Sequence, residues 1–214
     1  MGDLFDSQEI QAEQVEPTRR DRDFYERKAN EMRRLEEIQR WSLKIPEEFR
    51  QPIDRSRVTV DWQSFDKIQQ WDGKKSIFTK GRSQLGKTRA IYSALMQNGR
   101  NFTVLDDWKF AAKISDAASK GKLEDLVDQW TSAKILFIDD VDKVNFTAGV
   151  TGQNNAAVFF GIVKYRMAKH LPTIISANLD IADTLRGAGV HIIKSLEERM
   201  SQDEHWLRVD FMQR

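Results

Sequence analysis

Eight consecutive residues, Gly81 to Thr88, read GRSQLGKT and match G-x-x-x-x-G-K-[ST] without interruption. That pattern constrains the chain strongly, because a loop of this kind works only between a strand and a helix. The flanks supply both. Ser76 to Lys80 is a short strand-like run, and RAIYSALMQNG is a helical pattern that stops at Gly99. Gly81 and Gly86 let the backbone turn without a Cβ penalty, so that successive amides converge on phosphate oxygens at the positive end of the helix. Within this loop, Arg82, Ser83, Gln84 and Leu85 contribute backbone, Lys87 reaches the β- and γ-phosphates, and Thr88 offers its hydroxyl to Mg2+. The expected ligand is ATP with Mg2+.

The rest of the chain alternates strand-like and helical segments. Phe102–Leu105, Ala133–Ile138 and Pro172–Ala177 read as strands, and Trp206–Phe211 as a strand closing the sheet. Asp107–Trp130 reads as helices broken at Gly121, with further helices over Ala156–His170 and Val190–Met200. Such alternation predicts an α/β fold, a P-loop NTPase with a parallel sheet flanked by helices. Ligands of such sheets bind beyond the carboxyl ends of the strands, where the phosphate loop also lies.

Two of those strand ends carry candidate chemistry. Ile135 to Ile138 is apolar and is followed by Asp139 and Asp140. A buried strand of this form delivers Asp139 to the magnesium shell and places Asp140 to orient or deprotonate the attacking water. An acid pair can also simply end a strand in a turn, and it is the phosphate loop that favours the site reading. The strand ISANLD ends with Ser176 and Asn178. Asn178 is placed to hydrogen-bond the γ-phosphate or the water, or else closes an Asx-type turn.

Upstream, residues 1–16 carry only acidic charge and read as a mobile tail, either a docking segment or a solvated terminus. Between Pro17 and Leu43, Tyr25, Ala29, Met32, Leu35, Ile38 and Trp41 recur at spacings of three and four, which predicts one long helix with a narrow apolar stripe. That stripe either packs on its own core domain or grips another protein. Ile45 to Arg57, with two prolines and frequent charges, reads as a linker. The domain plan is therefore 1–16 tail, 17–55 helical extension and linker, and 56–214 ATPase domain.

Composition narrows the partners. Lys+Arg total 34 and Asp+Glu 33, so no global basic excess argues for nucleic acid, and any DNA contact must come from a local patch or several subunits. Lys109, Lys113, Lys120 and Lys122, interleaved with Trp108 and Phe110, form one such candidate, the alternative being a solvated helix with both aromatics in the core. With 0 Cys there is no disulfide framework or thiolate zinc site, and His170, His191 and His205 are scattered and read as ordinary residues. The opening residues lack the basic and apolar regions of a signal peptide, and no apolar run is long enough to span a bilayer, so a cytoplasmic protein without membrane contact is expected.

The order of IPEEF, GRSQLGKT, ILFIDD, RMAKHLPTIISAN and LEERM resembles the helicase-loader branch of the AAA+ ATPases, the DnaC and IstB type, over most of the chain from Ile45 onward. The resemblance implies a Mg2+-dependent ATPase that assembles into a ring or spiral, binds single-stranded DNA, and holds the hexameric replicative DNA helicase through its N-terminal segment. It makes Asn178 the sensor 1 residue and puts Arg199 of LEERM at the arginine-finger position; the alternative for Arg199 is a salt bridge with Glu197 or Glu198. Two departures stand out. Asp142 occupies a position often held by glycine in related loaders, and no helical lid domain is evident before Arg214. Competing readings are a transposition regulator of the IstB kind acting on duplex DNA, a small-molecule kinase, and a nucleotide-dependent adaptor with little turnover.

Overall fold

The computed structural model describes residues 18–51, 55, 60–144, 146, 149–178 and 197–211, with the side chains of 107, 108 and 149–154 excepted. The acidic stretch 1–16 and residues 190–196 of the helix expected over 190–200 lie outside the described residues. The chain divides into two compact units, 1–36 and 37–214.

The first unit is the greater part of helix α1 (Arg19–Ser42). Thr18 caps it: the Thr18 hydroxyl accepts from the Asp21 amide at 3.3 Å, and the Asp21 carboxylate accepts from the Thr18 amide at 3.1 Å. This reciprocal pairing satisfies donors that a helix N-terminus leaves open. On its apolar stripe, Tyr25, Met32 and Leu35 are exposed.

In the second unit the elements are α2 (Glu47–Arg50), α3 (Trp62–Gln69), β1 (Ser76–Gly81), α4 (Lys87–Asn98), β2 (Phe102–Leu105), α5 (Asp107–Ser119), α6 (Leu123–Thr131), β3 (Ile135–Ile138), α7 (Gly149–Ala168), β4 (Thr173–Ala177) and β5 (Trp206–Phe211). The five strands form one sheet in the order β2-β3-β4-β1-β5, and every pairing is parallel. Strand β3 is buried along its whole length because both faces are covered. Ile135 and Phe137 join a core with α3 and α4, whereas Leu136 and Ile138 join a second core with α5, α6 and α7. The break expected at Gly121 separates α5 from α6, and the strands expected over 102–105, 133–138, 172–177 and 206–211 are present, the second and third of them shorter at their starts.

The linker expected over Ile45–Arg57 is in its first part a piece of the core. Ile45 is 1% exposed, Phe49 of α2 stacks on Tyr92 at 5.0 Å, and Trp41 packs into the same cluster. Ile38 lies against Gly99, the left-handed residue that ends α4. The second compact unit thus includes these residues and runs from Glu37. Helix α3 was not anticipated; Asp61 caps it by accepting from the Ser64 amide at 3.2 Å, and Phe65 and Ile68 bury its inner face.

Phe110 lies fully in the core, stacked on Trp130 at 5.3 Å, so it is not available to nucleic-acid bases. Lys109 pairs with Asp106 and Lys120 with Asp116. No helix among the described residues is long and apolar enough to cross a membrane.

Arg166 is a charge at 0% exposure. Its guanidinium donates to the carbonyls of Trp130, Thr131, Ala133 and Pro172 and to the Thr173 hydroxyl, at distances of 2.7 to 3.1 Å. It thereby satisfies the open C-terminal carbonyls of α6 and ties α7 to the start of β4. Burial lowers its pKa to about 10, so it remains charged at neutral pH. Arg166→Ala is expected to destabilise the protein by about 3 to 5 kcal/mol in chemical denaturation, because several buried acceptors lose their donor. Arg166→Lys, with three donors instead of five, is expected to recover only part of that loss.

Candidate nucleotide site

The loop between β1 and α4 is built as its residues dictate. Gly81 has φ +142, and a Cβ there would sit 2.2 Å from the Phe211 carbonyl oxygen at the end of β5. Gly86, at φ +92, caps α4, and a Cβ would meet Val60 at 2.8 Å. No other residue fits either position without displacing backbone or its neighbour. Arg82, Ser83 and Gln84 are exposed at the turn, while Leu85 is buried, so its share in ligand binding is through its backbone. The loop, with Phe49, Val60, Thr88, Arg89, Asp140 and Asn178, lines a cleft of about 260 Å³ at the carboxyl edge of the sheet.

Lys87 is 5% exposed. Its ammonium donates to the carbonyls of Gly81 and Arg82, each at 2.8 Å, and to Asn178 Oδ1 at 3.0 Å. Desolvation pulls its pKa below the ordinary lysine value, against the opposing pull of Asp140, Asp142 and Asp139. Thr88 Oγ1 donates to Asp139 Oδ1 at 3.1 Å. These two oxygens meet at the N-terminus of α4, and such hard donors suit Mg2+. Mg2+ held there would neutralise phosphate charge; Thr88 and Asp139 are the residues to hold it.

Ser176 arranges the acid pair. In register, Ile138 faces Ile175, which sets Asp139 beside Ser176. The Ser176 hydroxyl donates to Asp139 Oδ1 and accepts from the Asp140 amide at 2.9 Å. Asp140 adopts a left-handed backbone at φ +48, unusual for a residue other than glycine and typical of groups held in place for function. Its carboxylate accepts from Asn178 Nδ2 at 3.3 Å and pairs with Lys143. Lys87, Thr88, Asp139, Asp140 and Asn178 are thus brought together from three strand ends. Arg199, on the exposed face of the helical residues 197–202, is not among the residues lining this cleft.

Sequence reasoning named Ser176 and Asp142 without giving either a role in this site, and it missed Lys143, Val60 and Phe49. A period-2 reading of β4 assigns Ser176 to the site, because it shares a strand face with Asn178.

Burial is the main cause that raises the Asp139 pKa to about 6, with the Asp140 charge adding and the Ser176 and Thr88 hydrogen bonds opposing. A carboxyl whose folded pKa exceeds its unfolded value of 3.8 contributes stability that is complete below pH 3.8 and lost as pH rises through 6. At pH 7.5 the buried charge is therefore a penalty, and Asp139→Asn is expected to raise ligand-free stability by on the order of 2 kcal/mol. The gain should shrink as the pH is lowered from 7 towards 4 in thermal denaturation. MgATP should stabilise the parent protein much more than the variant.

No family model matches the chain, and no curated protein matches it in sequence. Solved structures do. The structure of the replication initiator DnaA bound to AMPPCP and single-stranded DNA superposes at TM-score 0.55 with 18% identity, over 72% of this chain and 46% of that one. The DnaI structure gives TM-score 0.52 and 17% identity over 78% of this chain and 95% of that one. The DnaC helicase loader gives TM-score 0.50 and 14% identity over 71% and 87%. The chain spans less than half the length of the DnaA chain and most of the DnaC and DnaI chains. What the chain shares with them is the fold, here a five-stranded parallel sheet flanked by helices with the Gly81–Thr88 loop at its carboxyl edge.

Proposed function

We propose that this AAA+ chain is an ATP-dependent helicase loader, which binds a hexameric replicative DNA helicase through its N-terminal segment and delivers it onto single-stranded DNA at the start of replication. The observation that carries this reading is the assembled cleft, in which a buried Lys87, the Thr88 and Asp139 oxygens, and Asp140 with Asn178 converge on one strand edge. Its parts suit Mg2+-dependent hydrolysis of ATP to ADP and phosphate. Lys87 binds phosphate charge, Thr88 and Asp139 hold the cation, and Asp140 takes the proton of the attacking water while Asn178 orients it.

The likeness supports a loader over an initiator, since the chain accounts for 87% of the DnaC helicase loader chain and 46% of the DnaA initiator chain. The exposed stripe Tyr25, Met32 and Leu35 supports the N-terminal unit as the grip. Arg199 supports assembly into a ring or spiral. Its side chain is exposed, and its neighbour Glu197 pairs instead with Lys80 at 3.6 Å and Arg208 at 3.7 Å. A guanidinium so exposed is placed to complete the site of an adjacent subunit.

The test is light scattering on the full chain mixed with its source's replicative helicase and ATP, repeated on a chain lacking 1–36. That cut leaves the compact unit from Glu37 intact. A complex lost on truncation supports the loader and places the grip; a complex that survives puts the grip elsewhere, and none at all rejects the reading.

A further inference from the structure

Asn178 is held from every side. Its Oδ1 accepts from Lys87 at 3.0 Å, and its Nδ2 donates to Asp140 Oδ1 at 3.3 Å and to Asp142 Oδ2 at 3.2 Å. Its backbone amide donates to Asp142 Oδ1 at 2.8 Å. The chemistry of these partners fixes the amide orientation: an ammonium can only donate, so it faces the oxygen, and two carboxylates can only accept, so they face the nitrogen. Among the described residues, Asp142 alone grips both the backbone and the side chain of Asn178. It lies beyond the acid pair, on the short 3-10 turn Val141–Lys143 that begins at the left-handed Asp140.

We infer that Asp142 is a positioning residue for ATP hydrolysis, which clamps Asn178 with its carbonyl towards Lys87 and its amino group towards Asp140. The inference rests on the ATPase reading of the cleft. Without the Asp142 carboxylate, one acid and one lysine remain to orient the amide, and its carbonyl is released from a fixed direction. The clamp acts on orientation and not on phosphate affinity, because Asp142 is itself anionic and holds no phosphate. A misplacement of about 1 Å in such a group lowers turnover by about 100-fold.

The experiment uses the full chain with ATP, Mg2+ and single-stranded DNA, and compares kcat, KM for ATP and amide hydrogen exchange at Asn178. Asp142→Ala is expected to lower kcat by about 10- to 100-fold with KM within about threefold, and to remove the exchange protection of the Asn178 amide. Asp142→Asn retains one oxygen for that amide, so protection should persist, yet kcat should still fall because the second oxygen is now an amino group facing another. Added to Asn178→Ala, Asp142→Ala should lower kcat no further. Unchanged or raised kcat in Asp142→Ala, independent losses in the double variant, or unaltered exchange would overturn the clamp. A parent protein that never turns ATP over removes the ATPase reading itself, and exchange at Asn178 still reports whether the clamp exists.

Discussion

Lys87→Ala is expected to weaken ATP binding by about 30-fold or more, which a fluorescent nucleotide titration at neutral pH would read directly. The magnitude follows from where the ammonium sits. It is 5% exposed, anchored by two loop carbonyls and by Asn178, and directed at the mouth of α4. A buried, hydrogen-bonded charge meeting phosphate contributes about 2 to 5 kcal/mol on truncation. That corresponds to about 30- to 5,000-fold in affinity. The same variant leaves the Gly81 and Arg82 carbonyls facing solvent that can enter the cleft, so folding should be affected far less than binding. Micromolar ATP binding retained by Lys87→Ala would refute the phosphate-loop assignment.

Arg199→Ala should leave ATP affinity within about threefold and lower the hydrolysis of the assembled protein by about 1,000-fold, the scale on which a finger guanidinium acts on a transferring phosphoryl group. The split between binding and turnover is the diagnostic part. Among the described residues Arg199 does not line the cleft of its own chain, whereas neighbouring Met200 is buried under the helical segment 197–202 that carries it. Glu197 ties that segment to Lys80 near the end of β1 and to Arg208 on β5, so the guanidinium is carried on a segment anchored to the strand that leads into the Gly81–Thr88 loop. Mixing Arg199→Ala with Lys87→Ala subunits offers a second check. A mixed assembly pairs an intact cleft from one variant with an intact finger from the other, and should hydrolyse ATP faster than either variant alone. An unchanged rate in Arg199→Ala would reject the finger.

Much of this site was legible because its parts are short runs with a local rule. GRSQLGKT announces its own geometry, and Ile135–Ile138 followed by two acids marks a buried strand ending at a cation or a turn. Asn178 followed from its place at a strand end. The residues that organise these groups were not legible, because their partners are far apart in the chain. Ser176 meets Asp139 across 37 positions and Asp142 meets Asn178 across 36. Ser176 also sits inside an apolar run, where its hydroxyl is easily taken for a packing residue. Arg166 inverts the usual rule for charge, and only its five acceptors explain why it is buried. The segment from Ile45 looked like a linker because its prolines and charges outweigh its few apolar residues, yet Ile45 and Phe49 carry its first part into the core. For Phe110 the charges around it left both a nucleic-acid contact and the core open, and its pairing with Trp130 puts it in the core.

The central claim is delivery of a helicase, and deposition on closed single-stranded DNA circles tests it most directly, since a ring cannot thread onto a circle without being opened. The source's hexameric helicase is mixed with the circles and ATP, with and without this protein, and DNA-bound helicase is counted after removal of free protein. The full chain is expected to raise deposition several-fold, and a chain lacking 1–36 is not. Deposition unaffected by the full chain, together with tighter assembly on duplex than on single-stranded DNA, would contradict it and favour a regulator of transposition.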